Sequence, residues 1–123
     1  MAVTQELTLY DRVGGASALE TVVGAFYDRV LADDHLERFF EYTDMPRQQR
    51  SMSAFLSMAL GGPNEYDGRP MKEAHEHLGI TELHFGLFAG HLVATLEETG
   101  VPHDLVDEIL ALVAPLKPVV VST

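Results

Sequence analysis

Apolar residues in the first part of the chain recur at Leu19, Val22, Val23, Phe26, Val30 and Leu31. That three-and-four spacing marks one face of a helix and not the alternation of a strand. A helix is therefore predicted over residues 17–32. Ser17 with Glu20 three residues on reads as its capping box, just after the Gly14-Gly15 pair. Leu7–Val13 can form a short preceding helix or turn, and Met1–Thr4 a loose end. A second helix is predicted from Thr43–Pro46, with Asp44 or Thr43 as cap. It turns Met45, Met52, Phe55, Leu56 and Ala59 inward and stops at Gly61-Gly62-Pro63.

Between Gly61 and Pro70 stand three glycines and two prolines, the composition of an irregular loop. Met71–His77 then has room for only about two helical turns. Thr81 is placed to cap a helix bearing Leu83, Leu87, Phe88, His91, Leu92, Thr95 and Leu96, which ends at Gly100. Pro102 suits a first helical turn, and Leu105, Val106, Ile109, Leu112, Val113 and Leu116 form a last apolar stripe, its end frayed by Pro115 and Pro118. With no strand pattern and no internal repeat, the expected fold class is all-α. One domain over 1–123 is expected, with residues 1–6 as a loose start.

The charge balance narrows the partners. Among 123 residues, 8 Lys+Arg face 19 Asp+Glu, a formal net charge of −11. Phosphate backbones and anionic membrane surfaces both demand clustered cations, so neither nucleic acid nor membrane is an expected partner. The absence of cysteine excludes disulfides, thiolate metal sites and cysteine nucleophiles. The start MAVTQELTLYDR has neither a basic leader nor a long apolar run, and no stretch approaches the roughly 20 apolar residues of a membrane span. A soluble, cytoplasmic protein is expected.

The six histidines are His35, His75, His77, His84, His91 and His103. They show no His-Glu-x-x-His, and nothing in their spacing gathers His75, His77, His84 and His91 around one zinc ion. His91 falls on an inward stripe and reads as a packing histidine with a partner; His35 and His103 read as solvated. His75 lies in a short helix, MKEAHEH, that has little support of its own and would gain order from something bound. On that segment alone, simple exposure is the plainer reading. Tyr27 and Gln48 border inward faces, and if buried each needs a hydrogen-bond partner while offering a donor. The plain alternative is that their polar tips reach water. Phe39-Phe40 reads as core, with one ring able to lie against a planar ligand.

Four ordered blocks then resemble the truncated haemoglobins, specifically their group I, from Leu9 to about Leu116. They are LYDRVGG, AFYDRVLADDHLERFF, ALGGPNEYDGRPMKEAHEHLGI and HFGLFAGHLVATLEETGVP. The resemblance implies a two-over-two helical globin around non-covalent haem b, with His75 as the proximal iron ligand. It places Tyr27 and Gln48 on the distal side as donors to a bound gas, and Phe40 against the haem face. Phe55, Met71, Leu78, Ile80, Phe85, Phe88 and Val113 would line the pocket, and Arg69 and Lys72 would face the propionates.

The sequence departs from that family in ways that bear on function. Met52 stands where many relatives carry a second distal glutamine, so one donor fewer faces the gas and oxygen release should be faster. Leu56 replaces a bulkier aromatic that some relatives have beside their gas tunnel. No histidine follows His103, so the covalent tether some relatives use is not expected. Ser51 occupies the place of an endogenous distal histidine in others, arguing against bis-histidine ligation. The expected ligands are oxygen, nitric oxide and carbon monoxide, bound by a monomer or weak homo-oligomer. Nitric oxide dioxygenation with an external reductase is the enzymatic possibility. A non-catalytic oxygen carrier or sensor and a haem-free helical adaptor are the alternatives.

Overall fold

A computed structural model describes residues 8–64, 66 and 78–121. The expected loose N-terminus and the predicted short helix Met71–His77 lie outside these residues. Among the described residues there are helices and no strand. In chain order they are α1 (Leu9–Val13), α2 (Gly15–Leu31), a 3-10 turn (Glu37–Phe40), α3 (Met45–Ala59), α4 (Glu82–Glu98) and α5 (His103–Val113). A 3-10 turn (Ala114–Leu116) and the short α6 (Lys117–Val120) follow.

The α2 stripe is as the spacing predicts: Leu19, Val22, Val23, Phe26, Tyr27 and Val30 are buried on one face. The start of that helix is not. α2 begins at Gly15, two residues before the predicted cap, and Ser17 lies inside its first turn, where its carbonyl accepts from the Thr21 hydroxyl at 3.2 Å. The corner belongs instead to Gly14, whose φ of 117° ends α1 and begins α2 at one residue. A Cβ on Gly14 would stand 2.9 Å from that of Ala18. Both the left-handed backbone and this close approach demand glycine. The capping box at the N-terminal end of the fold is Thr8 with Asp11, on α1.

α3 starts as predicted, with the Asp44 carboxylate accepting from the Arg47 N–H at 3.3 Å. The Thr81 cap of α4 is also present, and His84 completes a capping box by accepting from the Thr81 N–H through Nδ1 at 3.1 Å. The expected fraying at Pro115 and Pro118 does not occur. Each proline sits in the first turn of the next short helical piece, where its missing N–H has no partner to lose, and the chain stays helical to Val120.

α2 packs against both α3 and α4, and α4 against α5, so a pair α2/α3 and a pair α4/α5 enclose one core. Leu19, Val23, Val30, Leu36 and Ile109 are its most deeply buried apolar members. α1 is fastened at two ends. The Tyr10 N–H donates to the Leu60 carbonyl at 3.0 Å, and Arg12 pairs with Glu108 at 2.9 Å. No helix of the described residues is long and apolar enough to cross a membrane.

Candidate functional site

The core is not filled to the centre. A cavity of about 780 Å³ lies between α2, the 37–40 turn, α3, α4 and the C-terminal turns. Its walls include Tyr27, Gln48, Phe40, Phe55, Leu78, Ile80, Phe85, Phe88 and Val113, so every predicted site residue that the structure describes meets in one place. Arg69, Met71, Lys72 and His75 lie outside the described residues. Tyr66 and Leu78, the described residues to either side of that stretch, both line the cavity.

Each wall is placed by its own element. Tyr27 follows Phe26 on the buried α2 stripe, and Gln48 stands one turn inside α3, held in register by the Asp44 cap. Tyr27 is only 3% exposed, so its tip does not reach water. Gln48 Nε2 donates to its phenol oxygen at 3.0 Å. Burial pushes the Tyr27 phenol above its ordinary pKa, the Gln48 bond opposing this more weakly. Because the amide donates into the oxygen, the phenol proton remains available to the cavity.

The other walls are aromatic. Phe40 meets Tyr27 edge-on with centroids 5.6 Å apart, and Phe88 edge-on at 6.2 Å. Phe39 packs on Phe88 at 6.4 Å and meets the His84 ring nearly at right angles at 4.9 Å, while Phe55 meets Tyr66 at 5.6 Å. Phe39 thus lines the cavity beside Phe40, where only one ring of the pair was expected to.

Sequence reasoning missed most of the polar edge. Thr43, Asp44 and Arg47 also line the cavity, beside the Ser51 already placed on the distal side, and Arg47 is the one Lys or Arg among the described wall residues. The signal was present, because Asp44 and Ser51 stand one turn before and after Gln48 and Arg47, and so share a side of α3. Met52 and Leu56 complete that wall.

His91 has the partner expected of a packing histidine: its Nε2 lies 2.7 Å from Asp33 Oδ2. Asp33 is held below the usual carboxylate range, first by this bond and then by the His35 N–H. Among the described residues no group of three or more His, Asp or Glu could hold a metal ion. A second recess of about 470 Å³ opens on the other side of α3, bounded by Leu19, Val23, Gln49, Ser53 and Tyr10, and contains none of the predicted site residues.

These walls fit haem. The space is ample for a large planar ligand, its sides are aromatic and aliphatic, one edge carries a cation for anionic substituents, and a buried donor pair faces inward.

Comparison with known proteins agrees. A profile of the bacterial-like globins matches residues 8–122. The group 1 truncated haemoglobin GlbN of Mycolicibacterium paratuberculosis is 52% identical over 111 residues, covering 90% of this chain and 82% of that protein. The crystal structure of the Fe(III) truncated haemoglobin of Tetrahymena pyriformis superposes with a TM-score of 0.91 at 37% identity, covering 95% of this chain and 100% of the other. That of the Synechococcus 2/2 haemoglobin, in the cyanomet state with covalently attached haem, gives 0.83 at 41% identity over 88% and 91%. The family's cofactor is haem and its work haem-based gas binding. By profile, by identity and by fold, this chain belongs to the bacterial-like globins, among their group 1 truncated haemoglobins.

Proposed function

We propose that the cavity takes haem b without a covalent tether, that His75 is its proximal ligand, and that the protein reversibly binds oxygen and also nitric oxide and carbon monoxide. The observation that carries this reading is the Gln48–Tyr27 hydrogen bond in the wall of an otherwise largely apolar cavity. Haem, bound there, would supply an iron able to take a protein nitrogen and a diatomic gas. The chain's own residues do the rest. Tyr27 holds a phenol proton ready for a gas that gains negative charge, and Gln48 fixes the direction of that phenol. Phe40, Phe55, Phe85 and Phe88, with Leu78, Ile80 and Val113, exclude water. Arg47 and Thr43 offer a cation and a hydroxyl to the propionates at the polar edge, and Arg69 and Lys72 are the further cations that the family resemblance implies for them.

Non-covalent attachment is supported by the last helices, which contain no histidine beyond the exposed His103 at the start of α5. His75 is supported by its place in the chain, three residues before the cavity-lining Leu78. Absence of cysteine suits a reducing cytoplasm. The turnover that a buried phenol donor favours is nitric oxide dioxygenation. In that turnover one nitric oxide and one oxygen would combine with one electron to give nitrate, the electron coming from an external reductase.

The deciding experiment is visible spectroscopy of the haem-supplied protein in ferric, ferrous and carbon monoxide forms, beside His75→Gly. A stoichiometric haem band that the variant loses and added imidazole restores is expected; an unchanged variant spectrum rejects His75. Stopped-flow mixing of the oxygenated protein with nitric oxide tests turnover, and the lack of both a fast ferric product and nitrate would leave a carrier or sensor.

A further inference from the structure

The aromatic wall formed by Phe39 and Phe40 is fastened to the rest of the molecule at a point that gas binding itself does not use. Asp33 follows the end of α2. Its Oδ1 accepts from the His35 N–H at 2.9 Å, and its carbonyl accepts from the Leu36 and Glu37 N–H groups at 3.0 and 2.9 Å. The Phe39 N–H then donates to the Leu36 carbonyl at 3.1 Å. A continuous chain of hydrogen bonds therefore runs from Asp33 to Phe39, about the fully buried Leu36 as pivot. Across from it, α4 presents Phe88 and, one turn later, His91 on the same side.

The segment thus meets α4 through three ring contacts, Phe39 with His84, Phe39 with Phe88 and Phe40 with Phe88, and through one hydrogen bond, Asp33 with His91. Ring contacts fix a spacing but set direction weakly. The His91–Asp33 bond, one helical turn beyond Phe88, adds a directional constraint to them. The His91–Asp33 bond is short and largely shielded, with side-chain exposures of 25% and 14%, the setting in which a charge-assisted bond keeps its geometry. The His84 ring stands nearly perpendicular to Phe39, while its Nδ1 accepts from the Thr81 N–H in the α4 cap.

We propose that His91 is a positioning residue for the cavity: through Asp33 it sets where Phe40 stands against Phe88 and Tyr27, and so how tightly the cavity retains its ligand. This rests on the reading of the cavity as a haem site. The test compares His91→Leu, His91→Gln, Asp33→Ala and the Leu/Ala double variant by two measurements. One is the rate of haem transfer to an excess of haem-free acceptor globin. The other is the set of nuclear Overhauser contacts between the Phe40 and Phe88 rings in the diamagnetic ferrous carbon monoxide form.

The expected result is haem loss about fivefold faster in His91→Leu and in Asp33→Ala, no faster still in the double variant, and within about twofold of wild type in His91→Gln, which keeps a donor. The ring contacts should weaken in step. Unchanged haem loss in His91→Leu, effects that multiply in the double variant, or ring contacts that stay intact while haem loss rises would each overturn the proposal. If the wild type takes up no haem, the haem reading falls, and the ring contacts measured on the haem-free chain decide the positioning role on their own.

Discussion

The Gln48 side chain donates to the Tyr27 phenol oxygen across 3.0 Å, joining α3 to α2 inside the cavity wall. The direction of this bond matters. A phenol that accepts from an amide keeps its own proton for another acceptor, which in the proposed function is the bound gas. Gln48 thereby orients a donor that Tyr27 supplies, and removing either should not be equivalent to removing the other.

Oxygen release should report this asymmetry. Tyr27→Phe deletes the donor and should accelerate dissociation about 10–100-fold, the worth of one hydrogen bond to a charged group. Gln48→Leu, which leaves the phenol present but unguided, should accelerate it less. Met52 lines the same wall, and Met52→Gln, which adds a second donor, should slow release about tenfold. Displacement of oxygen by carbon monoxide in a stopped-flow spectrometer measures all three. Equal rates in wild type and Tyr27→Phe would remove the phenol from the gas site.

Alkaline pH should find Tyr27 last among the free tyrosine's range. Its folded pKa is raised by burial, so the fold keeps a proton that the unfolded chain releases near pH 10. Its contribution to stability is therefore fully present below about pH 10 and is lost as the pH rises from there through the folded value. An ultraviolet phenolate titration of wild type minus Tyr27→Phe should show Tyr27 ionising at a higher pH than a free tyrosine. Ionisation at the ordinary value would mean that water reaches the phenol.

Acid should act on Asp33. His91, then the His35 N–H, depress its pKa, so its contribution is present above the unfolded carboxylate value of about 4 and disappears as the pH falls through the lower folded value. The gap in urea midpoint between wild type and Asp33→Asn should be steady above about pH 5 and close as the solution becomes strongly acidic. A gap independent of pH would show that the loss in the variant is steric.

Gly14→Ala should destabilise the α1–α2 corner. The left-handed backbone alone costs an ordinary residue about 1–2 kcal/mol, and the new Cβ would stand 2.9 Å from Ala18. A drop of several degrees in the melting temperature of the haem-loaded protein is expected, on the order of 4 °C per kcal/mol. The same change at Gly24, where an added Cβ meets nothing within 4 Å, is the control and should not lower it.

The helices were legible in the chain because burial on one face imposes its period on the residues themselves: the α2 stripe, the Asp44 and Thr81 caps and the glycine stops all act within a few positions. The residues that meet in the cavity were legible by another route, through the resemblance of four ordered blocks to a known family. Local signals misled where their meaning depends on what comes before. Ser-x-x-Glu looks alike at a helix start and inside a first turn, and only the approach of Gly14 to Ala18 moved the start of α2 to Gly15. Pro115 and Pro118 looked like breakers until each was seen to open a new helical piece.

What tertiary structure alone decided is which polar groups are buried and whom they face. Nothing near Tyr27 in the chain indicates that its oxygen is closed off from water and met by Gln48, 21 positions away. Nor does anything near His91 indicate Asp33, 58 positions earlier, or place Arg47 at the cavity's edge. A helical period records how far each residue lies from the core, because that cost is paid residue by residue. The pairing of one buried polar group with another depends on how the helices cross, which is settled only when the whole core packs.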